Sequence, residues 1–95
     1  IEIFIHSSGL QKEYYQFIVN AAAKRIALRV TKSAPLTVFP AHWQVKTVIG
    51  KKSWTAEVKI PFTDISLPTP IAGQMILLKI GREGRYGKPG SYAAI

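Results

Sequence analysis

The segment from Trp54 to Phe62 reads Trp-Thr-Ala-Glu-Val-Lys-Ile-Pro-Phe, in which apolar and polar residues alternate strictly until a proline interrupts the run. A period of two residues predicts a β-strand with one buried side and one solvent-facing side. The residues on the predicted buried side are Trp54, Ala56, Val58 and Ile60. Pro61 has no N–H group to donate to a neighbouring strand, so we expect the strand to end there. The pattern favours an antiparallel sheet with one packed face.

Three earlier segments, residues 1–6, 14–20 and 25–30, show the same alternation. The apolar positions that we predict to face the core are Ile1, Ile3 and Ile5 in the first, Tyr15, Phe17 and Val19 in the second, and Ile26, Leu28 and Val30 in the third. The alanines at positions 21–23 favour helix by propensity. We interpret them as a turn, because alternation resumes at Arg25.

A hairpin is predicted in the middle of the chain. Residues 43–49 form a candidate strand, and Gly50-Lys51-Lys52-Ser53 is a short connection to the strand that begins at Trp54. Before this hairpin, Pro35 and Pro40 predict a loop or a ragged edge between residues 31 and 41.

The last third of the chain has weaker patterns. Residues 63–66 predict a single helical turn, and residues 75–80 predict a last apolar strand in which Met75 fills core volume. The glycines and proline that follow predict a loop-like tail from residue 81, flexible from about residue 83.

A length of 95 residues limits the chain to one domain. It begins at Ile1 already inside a strand pattern, so we expect an incomplete domain. There is no cysteine, which excludes disulfides, thiolate metal sites and cysteine nucleophiles from this sequence.

The formal charge of +8 favours polyanions or anionic surfaces as partners. However, no run of five or six like charges occurs, so a solvated outer face is the favoured explanation of the charge.

Four segments occur in an order typical of one protein family. They are Ile1-Glu2-Ile3-Phe4, Tyr15-Gln16-Phe17-Ile18-Val19-Asn20, the segment from Trp54 to Phe62, and Gly73 followed by an apolar strand and Arg82. In this order they resemble the middle and later strands of family-9 carbohydrate-binding modules. The resemblance implies an all-β antiparallel sandwich, jelly-roll or immunoglobulin-like, over residues 1–95, with the opening strands of the domain absent.

The resemblance also implies a function, namely non-catalytic binding of an oligosaccharide or polysaccharide. In the family, aromatic rings clamp a sugar and polar side chains read its hydroxyls. The candidate carbohydrate-binding residues here are Glu2, Tyr14, Gln16, Trp43, Lys79 and Arg82. Two positions depart from sugar-binding members, because Ile18 replaces a basic residue and Lys79 replaces an asparagine. The positive charge favours an acidic saccharide over a neutral one.

Two other classes of function remain open. One is a structural or interaction module that packs against a neighbouring domain, for which Phe4, Ile18 and Leu77 would form an apolar outward face. The other is charge-driven binding of polyanions. Trp54 suits the core better than a sugar platform, and core packing is also the leading interpretation of Trp43.

Catalysis and cofactors have little support in the sequence. The five acidic residues are not paired at catalytic spacing, so we expect no enzyme activity, although a parent protein could be a glycoside hydrolase. His6 and His42 belong to no ligand-spaced cluster, and haem ligation by Met75 with a histidine is a weaker alternative to core packing. We expect no cofactor, no membrane span and no specific nucleic-acid partner. The family implies a secreted, periplasmic or cell-surface location.

Overall fold

The computed structural model describes residues 1–6, 13–31, 34–65, 71–73, 75–84 and 91–94. These ranges contain eight β-strands, one short 3-10 helix and no α-helix. The strands are β1 (Glu2–His6), β2 (Glu13–Val19), β3 (Arg25–Thr31), β4 (Ala34–Val38), β5 (Gln44–Ile49), β6 (Trp54–Lys59), β7 (Leu77–Gly84) and β8 (Ser91–Ala94), and the 3-10 helix spans Phe62–Ile65.

The strands form two antiparallel sheets. The larger sheet has six strands in the order β4-β3-β2-β1-β7-β8, and β5 and β6 form a separate hairpin. The hairpin packs on one side of the larger sheet, since Val45 and Val58 contact the core cluster of that sheet. The predicted all-β antiparallel sandwich is therefore confirmed, as is the predicted hairpin, whose register pairs Ile49 with Trp54.

The core lies between the hairpin and strands β1 to β3. Tyr15, Phe17 and Val19 are the buried side of β2, and Ile5 is buried on β1, as the alternation predicts. The ring of Phe17 makes edge contacts with Phe39 and Trp43, at centroid distances of 6.1 and 5.1 Å. The core therefore depends on β2 and on the segment that crosses from β4 to β5.

The prediction that Ile26, Leu28 and Val30 face inward is wrong. Phe17 pairs with Ala27 across the β2–β3 ladder, so Ala27 is the β3 residue on the core side. Alternation separates the residues of β3 into two faces but does not determine which face is buried. The small side chain of Ala27 leaves room for the large rings that pack on Phe17.

Two arginines of β3 share the core side with Ala27. The guanidinium of Arg25 lies 5.6 Å from the centre of the Trp43 ring, within the range of a cation–π contact. Arg29 bonds through Nε to Glu13 at 2.6 Å. This hydrogen bond, together with attraction to the same carboxylate, raises the pKa of the Arg29 guanidinium. The two arginines thus lie at the margin of the core, where their charged ends can reach partners or solvent.

The C-terminal third also differs from the prediction. The last apolar strand begins at Leu77 and continues to Gly84, and β8 pairs with it, so the part of the predicted loop-like tail that the structure describes is strand. Met75 precedes β7 and is 86% exposed, which contradicts a core role. The ragged segment after Thr31 contains the edge strand β4. The predicted helical turn is confirmed within residues 62–65.

The opposite side of the six-stranded sheet, turned away from the hairpin, is called here the outer face. Its members on β1 to β3 are Glu2, Phe4, His6, Tyr14, Gln16, Ile18, Ile26, Leu28 and Val30, and β4 and β7 add Leu36, Val38, Leu77 and Lys79. No described element covers these side chains. The outer face is therefore a surface on which the fold can present a site.

Val19 and Val48 provide a matched test of the core. Val19 is 1% exposed, whereas Val48 on the hairpin is 57% exposed. We expect Val19→Ala to lower the free energy of unfolding by about 2 kcal/mol, through lost burial and the cavity left behind. We expect Val48→Ala to change it by less than about 0.5 kcal/mol. Urea titrations followed by tryptophan fluorescence measure both, and equal losses would contradict this packing.

Candidate ligand-binding face

The register of the larger sheet brings four of the six predicted site residues to one place. Phe4 pairs with Gln16 on one side and with Lys79 on the other. Glu2 lies two residues from Phe4 on the same face, and Tyr14 lies two residues from Gln16. Glu2, Tyr14, Gln16 and Lys79 therefore surround the ring of Phe4 on the outer face. We call these five residues the Phe4 cluster.

The polar members of the Phe4 cluster contact one another or the ring. Gln16 Nε2 donates to Glu2 Oε1 at 3.5 Å, a long hydrogen bond. Lys79 Nζ lies 5.5 Å from the centre of the Phe4 ring, within the range of a cation–π contact. An amide, a carboxylate and an ammonium group thus lie beside one partly buried aromatic ring. Together they offer hydrogen-bond donors and acceptors next to an apolar surface.

Aromatic side chains extend the Phe4 cluster along the sheet. The rings of Phe4 and Tyr14 have their centres 6.0 Å apart and are tilted by 56°. His6 lies beyond them, with its ring centre 5.6 Å from that of Tyr14. Within the described residues, the buried Nδ1 of His6 has no hydrogen-bond partner. Phe4 and His6 were not among the predicted site residues, although alternation places both on the same side of β1 as Glu2.

The other two predicted site residues lie elsewhere. Trp43 is 4% exposed and packs on Phe17, so its ring is part of the core and is not accessible to a ligand. This position agrees with the core interpretation of Trp43. Arg82 is three residues from Lys79 on β7, so the alternation of the strand places it on the opposite face. Neither residue can join the Phe4 cluster.

At one end of the outer face, Glu2 also lines a shallow cavity of about 300 Å³. Trp54, Asn20 and the N-terminal residue Ile1 contribute to the same cavity. Burial lowers the pKa of the Ile1 amino group, and the Glu2 carboxylate opposes that shift. Trp54, predicted to be a core residue, is only half-buried and is not among the described residues of the core cluster; it lines this cavity instead.

The rest of the outer face is apolar. Ile18, Leu28 and Val30 are partly exposed, Ile26 is 39% exposed and Val38 is 63% exposed. A sheet with apolar residues on both faces is normally covered on both. This apolar area, formed by Ile18, Ile26, Leu28, Val30, Leu36 and Val38, is called here the apolar flank. Exposed apolar areas of this kind are common at binding surfaces.

A second cavity, of about 350 Å³, lies on the core side between β2, β3 and the 3-10 helix. Its buried carboxylate is Asp64, whose two oxygens accept the N–H of His42 at 3.0 and 2.9 Å. The imidazole Nδ1 of the exposed His42 lies 3.4 Å from the same carboxylate. Asp64 therefore holds the β4–β5 connection against the 3-10 helix. Among the described residues, no three histidine, aspartate or glutamate side chains cluster as a metal site would require.

Comparison with known proteins adds no identification, because the chain matches no family model, no curated protein and no solved structure. In the part of the chain that the structure describes, no helix has the length and apolar character needed to cross a membrane. Inferences about function therefore depend on the geometry of the two faces and on the sequence motifs.

The role of Asp64 can be tested by substitution. We expect Asp64→Ala to lower the free energy of unfolding by about 1–3 kcal/mol, because the N–H of His42 loses its acceptor. Asp64→Asn keeps one oxygen acceptor and should cost less. The adjacent, exposed Thr63 provides the control, with a change below about 0.5 kcal/mol for Thr63→Ala. Thermal and urea denaturation measure these changes, and a neutral Asp64→Ala would contradict the structural role.

Proposed function

We propose that this chain is a non-catalytic saccharide-binding module whose binding site is the Phe4 cluster on the outer face. The observation that carries the proposal is the register in which Phe4 lies between Gln16 and Lys79, with Glu2 bonded to Gln16. The resemblance of the sequence motifs to family-9 carbohydrate-binding modules, from which Glu2 and Gln16 were predicted as site residues, also supports it. By the same resemblance, we propose a secreted, periplasmic or cell-surface location.

Sugar chemistry explains why this combination of side chains would suit a saccharide. The C–H groups on one side of a pyranose ring pack on an aromatic ring, which Phe4 and Tyr14 can supply. The hydroxyls need fixed acceptors and donors. Glu2 accepts, Gln16 does both, and Lys79 donates. Because all of these residues are on β-strands of one sheet, their relative positions are set by the ladder hydrogen bonds rather than by a loop.

The two residues that differ from sugar-binding members, Ile18 and Lys79, lie on the two strands that flank β1. Ile18 lies across the ladder from Glu2, where a basic residue would approach the carboxylate. Lys79 instead places a cation on the other side, beside Phe4. The proposed site therefore keeps a positive charge near the ring but at a different strand. This change predicts a ligand preference unlike that of neutral-sugar binders.

A second candidate function is that of an interaction module, and the apolar flank favours it. Val38 and Ile26 are exposed on a sheet that is already packed on its other side. In this case the outer face would pack against a neighbouring domain, and the Phe4 cluster would form the polar rim of that interface. The double variant Ile26→Thr with Val38→Thr would then weaken binding of a hydrophobic dye such as ANS, which reports apolar surface open to a partner.

The saccharide proposal is tested by a double variant of the Phe4 cluster, Glu2→Ala with Gln16→Ala. We expect it to weaken binding of an oligosaccharide by tenfold or more, since tenfold corresponds to about 1.4 kcal/mol and two hydrogen-bonding groups are removed. Isothermal titration calorimetry against neutral and uronic-acid oligosaccharides measures the affinity.

The hairpin supplies a control with the same two substitutions, Glu57→Ala and Gln44→Ala, at exposed positions away from the outer face. We expect this control to bind as the unmodified protein does. If the unmodified protein binds neither class of oligosaccharide, the interaction module becomes the better account. Equal losses in both double variants would also contradict the assignment of the Phe4 cluster.

A further inference from the structure

Two short connections at one end of the sandwich display basic side chains. The β2–β3 turn ends at Lys24 and Arg25, and the β5–β6 turn carries Lys51 and Lys52, all four exposed. We call these four residues the basic end.

Both turns are held by internal hydrogen bonds. Asn20 Oδ1 accepts the N–H groups of Ala22 and Lys24 at 3.0 and 2.9 Å. In the other turn, the N–H of Gly50 donates to the carbonyl of Ser53 at 2.7 Å. The backbone that carries the basic side chains is therefore ordered, so they occupy a defined surface.

The two turns lie at the same end of the molecule. Thr47 Oγ1 on β5 donates to the carbonyl of Ala21 in the β2–β3 turn at 3.0 Å. Trp54, the first residue of β6, lines the same cavity as Asn20 and Ala21. The hairpin turn at residues 50–53 therefore extends past the β2–β3 turn at the same end of the molecule.

One described carboxylate, that of Glu2, reaches the margin of this end in the cavity lined by Asn20 and Trp54, and the four cations outnumber it. In the part of the chain that the structure describes, Glu13 is bonded to Arg29, and Asp64 lies beside His42. Both pairs lie toward the opposite end of β2 and β3. Glu13 is the first residue of β2, whereas the β2–β3 turn follows the last residue of β2, and Asp64 and His42 share a cavity with Tyr15 and Arg29. No described ion pair involves the four residues of the basic end. A positive potential should therefore concentrate there.

The basic end is continuous with the outer face. A shallow cavity of about 280 Å³ is lined by Ile18 and Ile26, which belong to the apolar flank, and by Asn20, Lys24 and Arg25. Glu2, at the edge of the Phe4 cluster, pairs with Ile18 across the ladder. A single extended ligand could thus contact the Phe4 cluster, pass over Ile18 and reach Lys24. By turning around the end of the sheet past Trp54, it would also reach Lys51 and Lys52 of the hairpin.

We infer that the ligand of this module is an anionic polysaccharide, with sugar rings on the Phe4 cluster and acidic groups at the basic end. This inference rests on the proposed saccharide function. A uronic polymer fits because each ring carries hydroxyls, a C–H face and a carboxylate, so one chain can place a ring on the Phe4 cluster and the carboxylates of further rings at the basic end. A nucleic acid fits less well, because among the described residues of the outer face Lys79 is the one cation, whereas a phosphate backbone is bound by a row of cations.

The test compares an oligogalacturonate with its methyl ester, which has the same sugar chain without the negative charges. We expect the unmodified protein to bind the free acid about tenfold more tightly than the ester at low salt, with the difference reduced as salt is raised. We expect Lys51→Gln with Lys52→Gln to remove most of that difference, chiefly by weakening binding of the free acid. Calorimetry at two salt concentrations measures all of these affinities.

A second pair of lysines controls for net charge. Lys46→Gln with Lys59→Gln removes the same number of charges from the same hairpin, on its solvent-facing side. We expect this pair to keep the preference for the free acid within about twofold, because screening limits long-range effects. Equal losses in the two double variants would overturn the basic end as a binding surface.

The remaining outcomes separate this inference from the proposed function. Equal affinity for acid and ester, both lost in Glu2→Ala with Gln16→Ala, would overturn the inference and support saccharide binding. Binding of neither form would contradict the saccharide function itself. Inorganic polyphosphate serves as a polyanion without sugar rings. If it binds as tightly as the oligogalacturonate and is unaffected by the Phe4 cluster variant, the ligand class is wrong.

Discussion

The structure depends on the packing of one aromatic side chain between its two sheets. Phe17 is fully buried at the centre of β2, and the rings of Trp43 and Phe39 contact it edge-on. Trp43 precedes β5 and Phe39 follows β4, so these contacts attach the crossing segment to the larger sheet. A hairpin of two strands has little independent stability in water. Its position over β1 to β3 therefore depends on this cluster and on the apolar side of β6.

The same cluster determines which side of the larger sheet is free. Since Phe17 pairs with Ala27, the rings can pack over β3 only where its side chain is smallest. Ile26, Leu28 and Val30 are then required to face away from the hairpin, and Arg25 and Arg29 remain at the margin of the core. The apolar flank is thus a consequence of core packing. The register that creates it also aligns Phe4 with Gln16 and Lys79.

Much of the fold could be predicted from alternation alone, because a period of two residues identifies strands and separates their faces. Alternation chose the buried face correctly on β1, β2 and β6, where the opposite side is the more polar one. It failed on β3, where arginines and aliphatic residues alternate and the apolar side is the exposed one. Which face of β3 is buried depends on its pairing with β2 and on the volume of the rings packed on Phe17, and neither is a local property of the β3 sequence. The strand β8 was missed for a similar reason, since Ser91–Ala94 has no pattern of its own and pairs with the end of β7.

The candidate site was predictable only in part, for the same physical reason. Glu2, Tyr14, Gln16 and Lys79 could be named from the motif resemblance together with alternation, but their meeting around Phe4 depends on strand order and register. That arrangement leaves polar and apolar areas adjacent on one sheet. A polymer with both C–H faces and polar groups can use both areas at once, whereas a small sugar would leave the apolar flank in water. The extent of the exposed flank therefore favours a long ligand or a protein surface over a single sugar residue.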